Sequence, residues 1–307
     1  MFLIALAVGL VMLVAGADLI VRGGGQLALA LRVPALIVGL TIVAFGTSAP
    51  ELAVSMTAAH RASTEMALAN VTGSNIANIV LVLGLAAVVA PLQMDRSLIR
   101  REVPVCLGLQ ILVPLMCLNG VIARWEGGVL LALGVTYNTW IVWDALRRRA
   151  KLAEGERRPA NHWQWHFLLL LGGILVLVAG AQLFVGGAVE VAGLLGMSDR
   201  YIGLTVVALG TSAPEVATSM LSSHRGQAEL ATGNVLGSNI LNITMVLALT
   251  ALVRPIVIMD PWSLADLVVA VLVTLALIPI VVRDKSVSRV EGGAMALGYV
   301  TYLVLIS

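Results

Sequence analysis

Long apolar runs separated by short polar stretches run through the whole chain. Residues 2–21 carry a single charge, Asp18; residues 33–60 carry one acid, Glu51; residues 66–94 carry none. A helical run of about 20 apolar residues matches the hydrocarbon thickness of a bilayer. The pattern predicts spans at about 2–21, 34–59, 66–91, 102–121 and 126–146, then at about 165–185, 201–223, 229–253, 264–282 and 290–306. The first run lacks the basic n-region and small-residue cleavage site of a signal peptide, and it has a counterpart later in the chain, so it reads as the first span.

The spans fall into two halves, 1–146 and 165–307, separated by a polar linker at 147–164. VGLTIVAFGTSAPELAVS at 38–55 recurs as IGLTVVALGTSAPEVATS at 202–219, an offset of 164. ALANVTGSNIANI at 67–79 matches LATGNVLGSNILNI at 230–243, and VAGADL at 14–19 matches VAGAQL at 178–183, both at that offset. EGG at 126–128 and Thr136-Tyr137 recur at 291–293 and at Thr301-Tyr302, at 165. Five spans is an odd number, so the second copy enters the membrane from the opposite side. The expected fold is therefore an all-α membrane protein of ten transmembrane helices in two inverted-topology five-helix repeats.

Charge placement tests this topology independently. With the 147–162 loop in the cytoplasm, 15 of the 19 Lys and Arg fall on the cytoplasmic side, and only Arg61, Arg124, Arg200 and Arg254 fall outside. That bias obeys the positive-inside rule. It places both termini outside an integral cell (inner) membrane protein, with the linker in the cytoplasm.

Composition narrows the partners. Charged residues make up 12% of the chain and the net charge is +2. A soluble domain carries roughly 25% charged residues, and no basic face lies outside the loops to hold nucleic acid. The environment implied is the lipid bilayer, and a monomer is sufficient for the site described below. Cys106 and Cys117 share one apolar segment, 11 residues apart. On a helix that is roughly 16 Å, too far for a disulfide, so both read as buried apolar side chains.

The chemistry lies in the repeated motifs. GTSAPE occurs at 46–51 and 210–215, inside apolar spans. Glu51 and Glu215 sit near mid-span, where an isolated carboxylate is costly. Pro50 and Pro214 precede them and cannot donate to the carbonyls of Gly46 and Gly210, so each helix is weakened at its carboxylate. Thr47 with Glu51, and Thr211 with Glu215, are i,i+4 pairs on one face, and Ser48 and Ser212 add hydroxyls. The next span of each half carries GSNIxN, with Ser74, Asn75 and Asn78, then Ser238, Asn239 and Asn242. Such residues on a span face a polar cavity or another helix; helix-to-helix glue is the structural alternative. Folded about the axis, these groups form an all-oxygen set with two negative charges, suited to hard cations such as Ca²⁺ and Na⁺. His60, His162, His166 and His224 lie at loops or span ends, which leaves no mid-span His for a soft-metal site or a proton relay. Asp18 stands four residues before Arg22, and its counterpart is Gln182. It reads as half of a local ion pair, with a transport role as the alternative.

These motif pairs resemble the two alpha repeats of the Ca²⁺/cation antiporter (CaCA) superfamily, in particular prokaryotic Na⁺/Ca²⁺ exchangers of the YrbG-like type. The resemblance implies a diamond of cation sites in the middle of spans 2, 3, 7 and 8, with Glu51 and Glu215 as the Ca²⁺ glutamates. It also implies Thr47, Ser48, Ser74, Thr211, Ser212 and Ser238, and the backbone carbonyls of Ala44 and Ala208, as further Na⁺ and Ca²⁺ ligands. Asn78 and Asn242 fill the fourth-corner positions, one of which is commonly Asp in the family. The implied activity is secondary antiport of Na⁺ against Ca²⁺ by alternating access, with no cofactor. The implied moving parts are spans 1 and 6. H⁺-coupled or K⁺-dependent divalent-cation exchange is the alternative. An intramembrane hydrolase would need a nucleophile–base pair or a His-bound metal, and a purely structural scaffold would leave two buried glutamates without a use.

Overall fold

The structure, a computed structural model, describes residues 2–61, 63–152, 163–195, 208–258 and 261–306. The polar linker at 153–162 and the start of the expected seventh span at 201–207 lie outside the described residues. So does His162.

Almost everything described is helical. The first half contains α1 (Phe2–Leu31), α2 (Ala35–Thr47), α3 (Ala49–His60), α4 (Thr64–Val89), α5 (Leu98–Asn119) and α6 (Arg124–Leu152). The second contains α7 (Trp163–Leu194), α8 (Ala208–Thr211), α9 (Ala213–His224), α10 (Ala228–Val253), α11 (Pro261–Asp284) and α12 (Arg289–Ile306). Among the described residues seven helices are long and apolar enough to cross a membrane, and α2 with α3 passes the same test as one span broken by a 43° bend.

Helix α1 differs from its expected end at residue 21, because it continues to Leu31. The run Gly23-Gly24-Gly25 does not stop it, since Gly23 is packing surface. A Cβ there would stand 2.7 Å from the Leu170 backbone nitrogen of α7. Helix α6 likewise runs past residue 146 to Leu152, through Arg, Ala, Lys and Leu, all good helix formers.

Helices α1 and α7 lie antiparallel and touch along most of their length. Gly9, Gly16 and Gly23 recur every seven residues, and so do Gly173, Gly180 and Gly187. A Cβ at Gly16 would stand 2.5 Å from the Leu177 nitrogen, and one at Gly180 would stand 2.8 Å from that of Leu13. Small residues bring membrane helices this close. One apolar core joins α1 and α7 to Val38 and Val43 of α2 and Leu230 of α10. A second and larger core, drawn mainly from α4, α5, α6, α10 and α11, holds the rest together.

Two short antiparallel strand pairs tie the halves together at their loops. β1 (Leu92–Gln93) pairs with β4 (Ser286–Val287), and β2 (Val121–Ile122) with β3 (Ile256–Val257). Buried contacts also join residues 164 apart: Thr274 Oγ1 donates to Gln110 Oε1 at 3.0 Å, and Asn75 and Asn239 bond each other.

Candidate functional site

The repeated prolines act where the sequence placed them. Helix α2 ends at Ser48 (φ −81°, ψ 6°), and α3 restarts with Pro50 in its first turn. Ser212 repeats the break (φ −85°, ψ 0°), with Pro214 opening α9. Proline is tolerated there because the first turn of a helix has no internal acceptor for its N–H. Glu51 and Glu215 thereby occupy the first turns of α3 and α9, where the helix dipole favours an anion. Both are buried, at 1% and 0% exposure.

The GSN segments close around them. Ser74 Oγ donates to Glu51 Oε1 at 3.4 Å, and Ser238 Oγ donates to Glu215 Oε1 at 3.3 Å. The halves then interlock. Ser48 Oγ reaches Glu215 Oε1 at 3.5 Å, Thr47 Oγ1 lies 3.3 Å from Ser238 Oγ, and Thr47 donates to Asn234 Oδ1 at 3.0 Å. Thr211 and Ser212 are buried at the equivalent break. The Ala44 carbonyl accepts from Ser48 N–H at 3.0 Å and from the Thr47 hydroxyl at 3.3 Å. Ala208 opens α8.

Four asparagines form a reciprocal clasp between α4 and α10. Asn78 Nδ2 donates to Asn239 Oδ1 at 2.9 Å, and Asn242 Nδ2 donates to Asn75 Oδ1 at 3.1 Å. Asn239 Nδ2 donates to the Asn75 carbonyl at 3.1 Å, and Asn75 Nδ2 returns a bond to the Asn239 carbonyl at 3.4 Å. Each helix passes into a π-helical turn starting at its outer asparagine, Asn78–Val82 in α4 and Asn242–Leu247 in α10. Such turns cluster at functional sites.

These bonds use the donors and leave acceptors over. Glu51 Oε2, Glu215 Oε2, Asn78 Oδ1, Asn242 Oδ1 and Ser212 Oγ are buried with no hydrogen-bond partner. Buried polar atoms are rarely left unpaired. Here every one is an oxygen, and they come from both halves. No group of three His, Cys, Asp or Glu gathers among the described residues. The chemistry is that of two carboxylates surrounded by neutral oxygens.

Sequence reasoning named Ser74, Ser238, Asn78 and Asn242 but passed over Asn70 and Asn234. Asn70 Nδ2 donates to the Glu51 carbonyl at 3.2 Å and to Ser55 Oγ at 3.0 Å, and Asn234 Nδ2 donates to Ser219 Oγ at 3.1 Å. The signal was available: both stand four residues before a GSN serine, at the 164 offset. His60 ends α3 with Nδ1 2.7 Å from the Met56 carbonyl; His224 ends α9 and His166 lies in the first turn of α7. Cys106 and Cys117 are free and buried. Asp18 pairs with Arg22 at 2.8 Å as its spacing suggests, and it also pairs with Arg225 of the second half.

The fold and its long apolar helices define an integral membrane protein. The model of the sodium/calcium exchanger protein family matches residues 1–143 and 165–307, so the chain belongs to that family. Similar proteins include the putative antiporter CaxA of Alkalimonas amylolytica, 38% identical, with 97% of this chain and 96% of that protein covered. The inner membrane protein YrbG of Escherichia coli K12 is 35% identical, with 81% and 79% covered. Among solved structures, the sodium-calcium exchanger NCX_Mj superposes with a TM-score of 0.87 at 30% identity, covering 99% of this chain and 98% of that one. The family consists of transporters, and the chain is a cation/Ca²⁺ antiporter of the prokaryotic CaCA type.

Proposed function

We propose that the chain exchanges Na⁺ for Ca²⁺ at one dehydrated site between its halves, with Glu51 and Glu215 as the charged ligands. The observation that carries this reading is the set of buried, unpartnered oxygens on Glu51, Ser212, Glu215, Asn78 and Asn242. Hard cations bind such oxygens. Thr47, Ser48, Ser74, Thr211 and Ser238 stand beside them as neutral ligands, with the Ala44 and Ala208 carbonyls next in line. Two carboxylates supply −2, which one Ca²⁺ or two Na⁺ neutralises. An empty, charged site crosses the low-dielectric interior only at high cost, whereas a loaded one does not. Exchange is then obligatory.

In this reading ten spans form two inverted repeats, with both termini outside and the linker in the cytoplasm. The reciprocal Asn75–Asn239 bonds support it, because residues at equivalent positions touch at a two-fold axis. The strand pairs also support it, because each joins two loops that the charge bias assigns to one side. Helices α1 and α7, which pack along most of their length against each other, are the part that shifts against the rest.

Purified protein in proteoliposomes, given Na⁺, K⁺ and H⁺ gradients one at a time, tests the coupling by ⁴⁵Ca²⁺ uptake. Uptake driven by Na⁺ alone is expected; uptake driven by a pH gradient without Na⁺ would replace Na⁺ with H⁺ as the counter-ion. E51Q and E215Q are each expected to abolish uptake while still inserting into the membrane, and normal uptake in either would remove that glutamate from the site.

A further inference from the structure

The two halves are not chemically equal along the helix that follows each glutamate. In α9, Glu215 is followed by Thr218, Ser219 and Ser222 at i+3, i+4 and i+7, which share its face. All three are fully buried. At the positions 164 residues earlier, α3 carries Val54, Ser55 and Ala58. Only Ser55 and Ser219 correspond in chemistry, and both accept from the asparagines at the site.

The extra hydroxyls do nothing for the fold as it stands. Thr218 Oγ1 and Ser222 Oγ have no hydrogen-bond partner. A buried helical Ser or Thr can satisfy its hydroxyl on its own helix one turn back. Thr232, Thr244 and Thr250 do so, at 2.9, 2.7 and 2.7 Å. Packing does not call for hydroxyls either, since Ala58 is buried at the equivalent place in α3. The row starts at an unpartnered carboxylate oxygen of Glu215 and runs toward the end of α9. There Ser223 Oγ donates to the carbonyls of Ala86 and Ala90 at 2.7 and 2.9 Å, and Arg225 pairs with Asp18 of α1.

We propose that Thr218 and Ser222 line the route by which cations reach Glu215 from the face where α9 ends, and that the described conformation has that route closed. The inference rests on the antiport reading and adds a sidedness to it. When α1 moves away, the hydroxyls replace part of a cation's hydration shell as it approaches Glu215. The matching approach along α3, past Val54 and Ala58, offers no such oxygens, so ions from the other face come in along other walls.

The test uses S222C in a C106A/C117A background, reconstituted in proteoliposomes and treated on one face at a time with a membrane-impermeant thiol reagent. Modification read by mass is expected from the face where α9 ends and not from the other, with loss of ⁴⁵Ca²⁺ flux on modification. In parallel, T218V/S222A is expected to raise the half-saturating ion concentration about tenfold on that face alone, the size of one or two lost polar contacts. No modification of S222C from either face, or unchanged half-saturation on both faces in T218V/S222A, overturns the proposal. Flux in the unmodified C106A/C117A background reports on antiport separately, because modification by mass needs no transport.

Discussion

At the scale of single residues the site is an arrangement of neutral donors that leave oxygen acceptors unused. Asn234 shows the principle. It accepts from Thr47 across the halves and donates to Ser219 within its own. N234A frees both hydroxyls next to Glu215 and is expected to weaken half-saturation by Ca²⁺ about tenfold, the effect of one or two lost hydrogen bonds, with the protein still folded. Flux titrated against Ca²⁺ checks this, and unchanged half-saturation would mean that Asn234 only fills space. The glutamates and GSN serines were legible in sequence because acids and polar triplets stand out in an apolar span. The shared spacing of Asn70 and Asn234 before the GSN serines marked them as a repeated pair, but nothing in sequence shows that Thr47 lies across from Asn234. That contact is made by folding one half onto the other.

At the scale of elements, helix breaks and glycine spacing do the positioning. The proline breaks were readable, since a missing N–H is a local property. The π-helical turns at Asn78 and Asn242 were not, because an extra residue in a turn depends on packing from neighbouring helices. The real length of α1 was hidden for a similar reason. A glycine run reads as a helix stop until a partner backbone lies against it. Gly16 gives the sharpest test of that interface. A Cβ placed there meets the Leu177 nitrogen at 2.5 Å, so the two backbones must separate to admit even alanine. Overpacking of this kind typically costs about 1–3 kcal/mol. G16A is therefore expected to lower the unfolding midpoint in detergent and to slow exchange, while Ca²⁺ still raises that midpoint through an intact site. If G16A matched the parent in both midpoint and flux, α1 and α7 would not depend on close contact at this level.

At the scale of the whole molecule, the repeat is written into the sequence at the 164 offset, and the loop charges supply the side that the proposed topology assigns to each loop. Departures from the duplication carry the information that symmetry lacks. Asp18 pairs with Arg22 and with Arg225, and so ties α1 to the end of α9. At the corresponding positions of the other half stand Gln182, exposed and with no hydrogen-bond partner among the described residues, and Arg61, also exposed. Among the described residues, one end of the molecule therefore has an ionic tie that the other lacks. If α1 shifts during exchange, the tie favours the described conformation over its mirror state. The pair is part-exposed, with side chains 25% and 30% accessible, so its worth falls in the range of about 0.2–1 kcal/mol and weakens with salt. D18N is expected to leave half-saturation by Ca²⁺ unchanged and to alter the rate of exchange by up to about fivefold. The change should shrink as ionic strength rises, because the parent loses its own tie under those conditions. The charge-reversed pair D18R/R225D is expected to restore the parent rate, provided Arg22 is neutralised with it, since Arg22 would otherwise face a second arginine one turn away. A D18N rate equal to the parent's at low salt would show that the tie opens too easily to bias the cycle.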